Sequence, residues 1–331
     1  MLGKTYVLDA GARYGIHPTW NDFRAELKYF AFEPDPEEAA RLDKSFGSDQ
    51  YSVSRQALGK EQGTARFNIA SHKALSSLLE PDVDSQWFKD YRPSTSEVTE
   101  SIEVEVTTVD AFSTANGVNF DFLKVDTEGT EQDVIEGASS QLESSILGVR
   151  SSVNFQRCYV GQKLFSENHE YLLSKGFVLL NMDYAGYGTP KNSFFAKPDP
   201  VSSEQHRYGV LINSDAVWVK PVENILNDDA VGSAISALKL ACFCFSNSAP
   251  DVAVDVLEKY VEKFALFPHE IMETKLYRYT LFASFRFLGK WRVHESENWY
   301  NAQAVFNRIF HQELTGGHQY WATLQELERG L

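Results

Sequence analysis

The sequence predicts an α/β domain with a mostly parallel seven-stranded sheet and helices on both faces, followed by an all-helical extension. Two observations predict this class. Up to about residue 220, short apolar runs alternate with amphipathic segments, which is the pattern of successive βαβ units. Beyond that point apolar residues recur at spacings of three and four, and strand-like runs are almost absent. We therefore expect two domains, residues 1–220 and 221–331.

The predicted elements follow one another in regular order. Buried apolar or alternating runs predict strands at Thr5–Ala10, Tyr29–Glu33, Tyr51–Leu58, Ser101–Val109, Phe120–Val125, Leu147–Phe155, Phe177–Asn181 and Tyr208–Asn213, with an extra strand at Gly63–Ile69 paired beside the third. Helical spacing predicts helices at Thr19–Lys28, Pro36–Phe46, Glu131–Leu142 and Glu167–Lys175, then at Ala230–Phe245, Asp251–Phe264, Ile271–Leu288 and Trp299–Phe310. Residues 70–100 fit neither pattern and predict an ordered loop or lid.

Composition excludes some classes of partner. The chain carries 31 Lys and Arg residues against 46 Asp and Glu residues, a net charge of −15. Such a surface repels phosphate backbones, so we expect no nucleic-acid partner. No apolar stretch reaches the length of a membrane span, and the three cysteines form no disulfide framework. We expect a cytoplasmic protein.

The turn after the first strand, Asp9–Gly15, is the first candidate binding element. In a doubly wound sheet, ligands bind beyond the carboxyl ends of the strands, near the point where the strand order reverses. Gly11 allows the backbone to approach a ligand closely, and Gly15 lets the following segment pack tightly. The middle glycine of G-x-G-x-x-G is absent, so we expect a ligand without a pyrophosphate, such as S-adenosylmethionine. Asp9, Gly11, Ala12 and Gly15 are the candidate contacts.

Two further strand ends extend this candidate site. Glu33, followed by Pro34, closes the second strand, where a carboxylate accepts both hydroxyls of an adenosine ribose. The alternative is an ordinary solvated acid at a strand end. Ala57 and Leu58, at the end of the predicted third strand, are small and apolar and suit a slot for the adenine ring.

Asp126 and Glu128 follow the strand Phe120–Val125, just before a glycine. At that edge of the sheet, a carboxylate can hold the methionine ammonium, orient an acceptor hydroxyl or act as a base. The alternative is helix capping, with Asp126 or Thr127 as the N-cap and Glu131 in the first turn.

The order of these motifs resembles the FkbM family of methyltransferases. The most specific segment is VTTVDAF followed by FDFLKVDTEGTEQDVIEGA; VLDAGARYG, FEPDP, QALGKEQGTARF, SSLLEP, SVNFQRCYVGQKLF and GVLINSDAVWVK also match. The resemblance covers about residues 5–220. It implies a Rossmann-like class I methyltransferase fold, S-adenosylmethionine as the cofactor, and methylation of a hydroxyl on a sugar or polyketide-type product.

One position departs from the family pattern. Ser152 stands where one branch often has a glutamate. If that acid assists catalysis, the protein uses another group or has lost activity. A cofactor-binding but weakly active scaffold or interaction protein is therefore the second hypothesis, and a nicotinamide-dependent oxidoreductase is the third.

The remaining expectations concern the acceptor. His17 joins Asp126 and Glu128 as a candidate base, although it also fits the first turn of a helix before Pro18. A small-molecule or glycan acceptor is expected against Tyr14, Ser77, Asn154, Gln156 and Tyr159, with the loops at 70–100 and 184–206 shaping its pocket. No metal site is expected. The helical extension is expected to serve packing or homo-oligomerisation.

Overall fold

A computed structural model describes residues 4–91, 94–188, 209–289 and 297–311. It divides into two compact units. One comprises residues 6–16 and the described part of 28–219, and contains the sheets. The other comprises residues 17–27 with the described residues of 1–5 and of 220–331, and is helical.

Among the described residues, ten strands form two sheets: β1 Thr5–Ala10, β2 Leu27–Phe32, β3 Tyr51–Ser54, β4 Ala57–Leu58, β5 Gly63–Ala70, β6 Val98–Thr107, β7 Phe122–Val125, β8 Gly148–Asn154, β9 Val178–Gly188 and β10 Val210–Val219. The main sheet has seven strands in the order β3-β2-β1-β7-β8-β10-β9. β1, β7 and β8 pair in parallel, as do β2 and β3, whereas β10 runs antiparallel to both β8 and β9. The prediction of a mixed α/β fold with a mostly parallel seven-stranded sheet is confirmed. Its order reverses between β1 and β7, where ligands bind in such sheets.

The second sheet corrects two strand predictions. The predicted strand Tyr51–Leu58 ends at Ser54 in the main sheet, and Ala57–Leu58 pairs instead with β6. β5 also pairs with β6, antiparallel, and not with β3. Both runs have ordinary strand patterns, so their sequence cannot distinguish one partner strand from another.

The helices are α1 Pro36–Phe46, α2 Val109–Asn116, α3 Glu131–Glu136, α4 Ser139–Ser144, α5 Phe165–Ser174, α6 Ala230–Ser246, α7 Pro250–Phe264, α8 His269–Met272, α9 Lys275–Gly289 and α10 Glu297–Phe310. Local signals explain several ends. The Asp35 side chain accepts the N–H groups of Glu37 and Glu38 before α1, and Gly117 ends α2 with φ +61°. Two predictions were wrong in detail. Residues 18–26 form a 3₁₀ helix in place of the predicted helix Thr19–Lys28, because the strand pattern of β2 already begins at Leu27. Residues 131–142 form two short helices.

Each unit has its own buried apolar interior. In the sheet unit, Leu8, Phe32, Leu123 and Val149 belong to one cluster of fully or almost fully buried side chains on the central strands. In the helical unit, Trp20 of the 3₁₀ helix packs 5.6 Å from Phe243 of α6, measured between ring centroids. None of the described helices is both long and apolar enough to cross a membrane.

Candidate active site

A cavity of about 240 Å³ lies at the strand ends where the order of the main sheet reverses. Its walls come from the ends of β1 and β2, from β4 and β5, from residues 73–78, and from the turn after β7. Eight of the sequence-predicted site residues line it: Gly11, Tyr14, Glu33, Pro34, Ala57, Leu58, Asp126 and Glu128. The sheet therefore brings together motifs that are separated by more than a hundred residues in the chain.

The turn after β1 can only be built with glycine at position 11. Gly11 has φ +80°, and a Cβ there would lie 1.8 Å from the backbone oxygen of Asp126. The N–H groups of Gly11 and Ala12 donate to the carbonyl of Phe32, at 3.0 and 3.1 Å, and this links the turn to the end of β2. Gly15, with φ +81°, packs against the ring of Phe46 and does not line the cavity.

Lys124 on β7 holds the turn in place, a role that its sequence position does not indicate. Its buried ammonium lies 3.0 Å from Asp9 Oδ1 and 3.5 Å from Asp126 Oδ2, and donates to the Gly11 carbonyl at 3.2 Å. The neighbouring carboxylates raise the pKa of Lys124 above its usual value despite its burial. One cation thus ties the end of β1 to the end of β7.

Asp9 lies beneath the cavity and does not line it. Its carboxylate is fully buried, where it pairs with Lys124 and accepts a hydrogen bond from the hydroxyl of Tyr29. Burial raises the pKa of Asp9, and Lys124 opposes that shift. Ala12 is also buried outside the lining. Both residues support the turn, and a direct contact of either with a ligand stays a prediction.

Glu33 has a buried carboxylate, and only one of its two oxygens contacts a donor among the described residues. Its Oε1 accepts the N–H of Asp35 at 2.9 Å and lies 3.6 Å from the guanidinium of Arg13. No described residue donates to Oε2. Burial raises the pKa of Glu33 to about 7, although Arg13 and the Asp35 N–H act against this shift. The alternative of a solvated acid at a strand end is wrong, because Glu33 is only 3% exposed.

An apolar slot adjoins this carboxylate. Ala57 and Leu58 line the cavity, and Pro34, Phe67 and Leu78 join them. Phe67 and Leu78 were not predicted as site residues. Their place in the lining depends on the pairing of β5 with β6 and on the path of residues 71–78. The slot therefore has side chains of the type that pack against a planar ring.

The turn after β7 presents Asp126 and Glu128 to the cavity. Glu128 has φ +55°, a left-handed conformation that costs roughly 1–2 kcal/mol for a residue with a side chain. The Glu131 carboxylate supports the turn by accepting the N–H groups of Thr127 and Gly129, each at 3.0 Å. The capping alternative for Asp126 or Thr127 is wrong, because α3 begins at Glu131 and its N-cap position is Thr130.

Two predicted acceptor residues lie behind Glu128 instead of in the cavity wall. Ser77 donates to the Glu128 carbonyl at 2.6 Å. The hydroxyl of Tyr159 lies 3.2 Å from Glu128 Oε2 and donates to the carbonyl of Leu75 at 3.0 Å. Burial raises the pKa of Glu128 well above its usual value, and the carboxylates of Asp126 and Glu131 add to this effect.

Three other predicted residues lie away from the lining. His17 is the N-cap of the 3₁₀ helix, and its Nδ1 accepts the N–H of Thr19 at 3.2 Å. Asn154 ends β8, with the Cys158 thiol 3.8 Å from its side-chain oxygen, and the Gln156 carbonyl accepts from the same thiol. The acceptor roles of Asn154 and Gln156 stay predictions. Of the loop predicted at 184–206, residues 189–206 lie outside the described residues.

Ser152, the departure from the family pattern, is also absent from the lining. It lies on β8 directly opposite Asp215 of β10. Arg150, two residues before it, is buried and pairs with Asp183 and Asp215. The surroundings of Ser152 are therefore an ion-pair network across β8, β9 and β10.

Two cationic side chains also line the cavity, and the sequence did not predict their position there. Arg13 lies 3.0 Å from Asp35 Oδ2, and Lys73 lies 3.9 Å from the same atom. The two side chains neutralise the acids around Glu33. Arg13 lies within the turn, two residues after Gly11, and only the fold places it beside the end of β2. Among the described residues, no group of three acidic, histidine or cysteine side chains is arranged to hold a metal ion.

The sheet order and the cavity at its reversal point define a Rossmann-like α/β fold. Residues 9–179, just over half of the chain, match the Methyltransferase FkbM domain, and the chain belongs to that family. The family resemblance inferred from the sequence is confirmed.

Two solved structures are similar to this chain. One is methyltransferase FkbM from Methylobacillus flagellatus KT, with 12% identity and a TM-score of 0.38, covering 66% of this chain and 44% of that one. The other is a candidate S-adenosylmethionine dependent methyltransferase from Listeria monocytogenes, with 9% identity and a TM-score of 0.33, covering 66% of this chain and 92% of that one. This chain thus spans less than half of the first structure's length. No curated protein sequence matches it.

Proposed function

We propose that this methyltransferase takes its methyl group from S-adenosylmethionine and transfers it to a hydroxyl of a carbohydrate or related hydroxylated metabolite. The observation that supports this most directly is the position of Glu33. Its carboxylate and the Gly11 turn line one cavity, and the carboxylate oxygen Oε2, to which none of the described residues donates, lies beside an apolar slot.

The cavity residues fit the proposed cofactor part by part. Oε2 of Glu33 suits a ribose hydroxyl, and Ala57 and Leu58 suit the adenine ring. The bare Cα of Gly11 leaves no side chain between the turn and a ligand. Asp126 keeps 41% of its side chain exposed and can accept the methionine ammonium. When bound, the cofactor supplies a methyl group already activated by a sulfonium.

Glu128 is the best candidate for the base. It lines the cavity and contacts a hydroxyl within the protein, whereas Asp126 is paired with Lys124 and His17 is not in the lining. A hydroxyl acceptor must lose its proton during or just after methyl transfer, and Glu128 would take that proton at its carboxylate. The protein's main contribution is to hold the two reactants in line.

The two other hypotheses have less support. The turn lacks the middle glycine that a pyrophosphate requires, which disfavours a nicotinamide-dependent oxidoreductase. The weakly active scaffold depended on Ser152, and that residue does not line the cavity. A cytoplasmic location and self-association through the helical extension remain part of the proposal.

Comparison of methylated metabolites tests the reaction. Cells with the wild-type gene are compared by mass spectrometry with cells that lack it and with cells that express Glu128→Gln. We expect a methyl ether, 14 mass units heavier than its precursor (roughly the mass of CH₂), only with the wild-type gene. Identical metabolite profiles in all three would contradict the proposal, and a methylated amine would contradict the hydroxyl assignment.

A further inference from the structure

The contact between the Tyr159 hydroxyl and the Glu128 carboxyl group constrains the protonation state of Glu128. The Tyr159 hydroxyl has one hydrogen but two oxygen neighbours, the Leu75 carbonyl at 3.0 Å and Glu128 Oε2 at 3.2 Å. A carbonyl can only accept, so the shorter contact uses that hydrogen. The contact to Glu128 is then a hydrogen bond only if the carboxyl group carries a proton and donates it. Both contacts are satisfied together when Glu128 is neutral.

The charges around Glu128 favour the same state. Asp126 and Glu131 are like charges that oppose its ionisation, Lys124 favours it, and Cys158 and Tyr159 are neutral neighbours with raised pKa values. The turn itself is held, because Ser77 donates to the Glu128 carbonyl and Glu131 accepts from Thr127 and Gly129. The backbone of the turn is therefore fixed at the position from which the Glu128 carboxyl group contacts Tyr159.

We propose that Glu128 and Tyr159 form a proton switch that responds to a cation in the cavity. Without a cation, Glu128 holds a proton and Tyr159 donates to Leu75. When a sulfonium binds, Glu128 releases its proton to solvent, and the Tyr159 O–H turns from Leu75 to the new carboxylate. This inference rests on the proposed function.

The switch resolves the conflict between a raised pKa and the role of a base. A positive charge nearby lowers the pKa of a carboxyl group, so the base forms when the methyl donor is present. As the acceptor oxygen forms its bond to the methyl carbon, the C–S bond breaks and sulfur keeps the electron pair. The acceptor O–H breaks and Glu128 takes the proton. Loss of the sulfonium charge then favours the protonated carboxyl group again.

Calorimetric proton counting tests the switch without turnover. S-adenosylmethionine and S-adenosylhomocysteine are titrated into the protein, without acceptor, in buffers of different ionisation enthalpy across neutral pH. The two ligands share every other charge, so the difference in proton release reports the sulfonium. We expect S-adenosylmethionine to release up to about one proton more than S-adenosylhomocysteine. Glu128→Gln should bind both ligands and abolish that difference.

Tyr159→Phe distinguishes the switch from an isolated buried acid. It keeps the ring that packs 5.6 Å from Phe88, measured between centroids, and removes the hydroxyl. The ionised form of Glu128 loses a donor, so the pH at which proton release is half-complete should rise. Equal proton release by both ligands, or an unchanged profile in Tyr159→Phe, would overturn the switch and leave the proposed function intact. Failure of both ligands to bind would contradict the proposed function as well.

Discussion

Lys124→Met should destabilise the protein far more than the loss of an ordinary ion pair. Methionine has almost the same length and shape, so the substitution removes the charge and little packing. Asp9 would lose a partner at 3.0 Å while remaining fully buried, and the Gly11 carbonyl would lose its donor at 3.2 Å. Removing one member of a buried pair costs about 3–5 kcal/mol. We expect the free energy of unfolding to fall by about 3 kcal/mol, the lower end of this range. The reason is that Asp9 keeps the hydrogen bond from Tyr29 and can take up a proton.

Lys60→Met is the matched control. Lys60 forms an ion pair too, with Glu136 at 2.6 Å, but its side chain is 58% exposed. An exposed pair contributes little to stability because water and salt screen it. Urea unfolding followed by tryptophan fluorescence gives the free energy of unfolding for each variant. Asp9→Asn in the Lys124→Met background should recover part of the loss, because it removes the unpaired charge. Equal stabilities for Lys124→Met and Lys60→Met would refute the argument.

The pH dependence and three further substitutions give separate expectations. Binding of S-adenosylhomocysteine should weaken as pH falls below about 7, approaching tenfold per pH unit, because Glu33 with its pKa of about 7 must be ionised to accept two hydroxyls; a flat pH profile in calorimetry would contradict this. The same raised pKa means that the folded chain binds the Glu33 proton more tightly than the unfolded chain does. The stability that this proton contributes is therefore complete below about pH 4.5 and is lost as pH rises through about 7. Gly11→Ala should abolish binding of S-adenosylhomocysteine, because the new Cβ would lie 1.8 Å from a backbone oxygen. Gly117→Ala is the control: its φ is +61° and its Cβ would have nothing within 4 Å, so it should keep binding and lose roughly 1–2 kcal/mol of stability. Equal binding by both variants would refute the close approach of the Gly11 backbone to the ligand. Ser152→Glu places a second acid directly opposite Asp215 and should cost about 0.2–1 kcal/mol without raising methyl transfer, whereas a gain in turnover would support the weakly active alternative.

The parts of the site that the sequence revealed are those built from local signals. The Gly11 turn and Glu33 each follow an apolar strand directly, so their position at a strand end could be read from neighbouring residues. The same holds for Asp126 and Glu128. A parallel sheet brings the carboxyl ends of its strands to one edge. The predicted fold therefore also predicted that these residues lie close together.

The parts that the sequence did not reveal depend on long-range register. Lys124 occupies an ordinary position within FDFLKV, and its role arises because it is the direct partner of Asp9 across β1 and β7, over a hundred residues apart. Tyr159 was predicted as an acceptor contact, yet the fold places its hydroxyl on Glu128 and Leu75. Ala57 and Leu58 were predicted to end the third strand of the main sheet but pair with β6, because strand propensity does not specify a partner.

We propose that the cavity at the ends of β1 and β2 binds S-adenosylmethionine through Glu33. Calorimetric titration of the wild-type protein with S-adenosylhomocysteine and with NAD tests it most directly. The account predicts saturable binding of S-adenosylhomocysteine at one site, strong weakening in Glu33→Ala, and no binding of NAD. Binding of NAD with none of S-adenosylhomocysteine would contradict it.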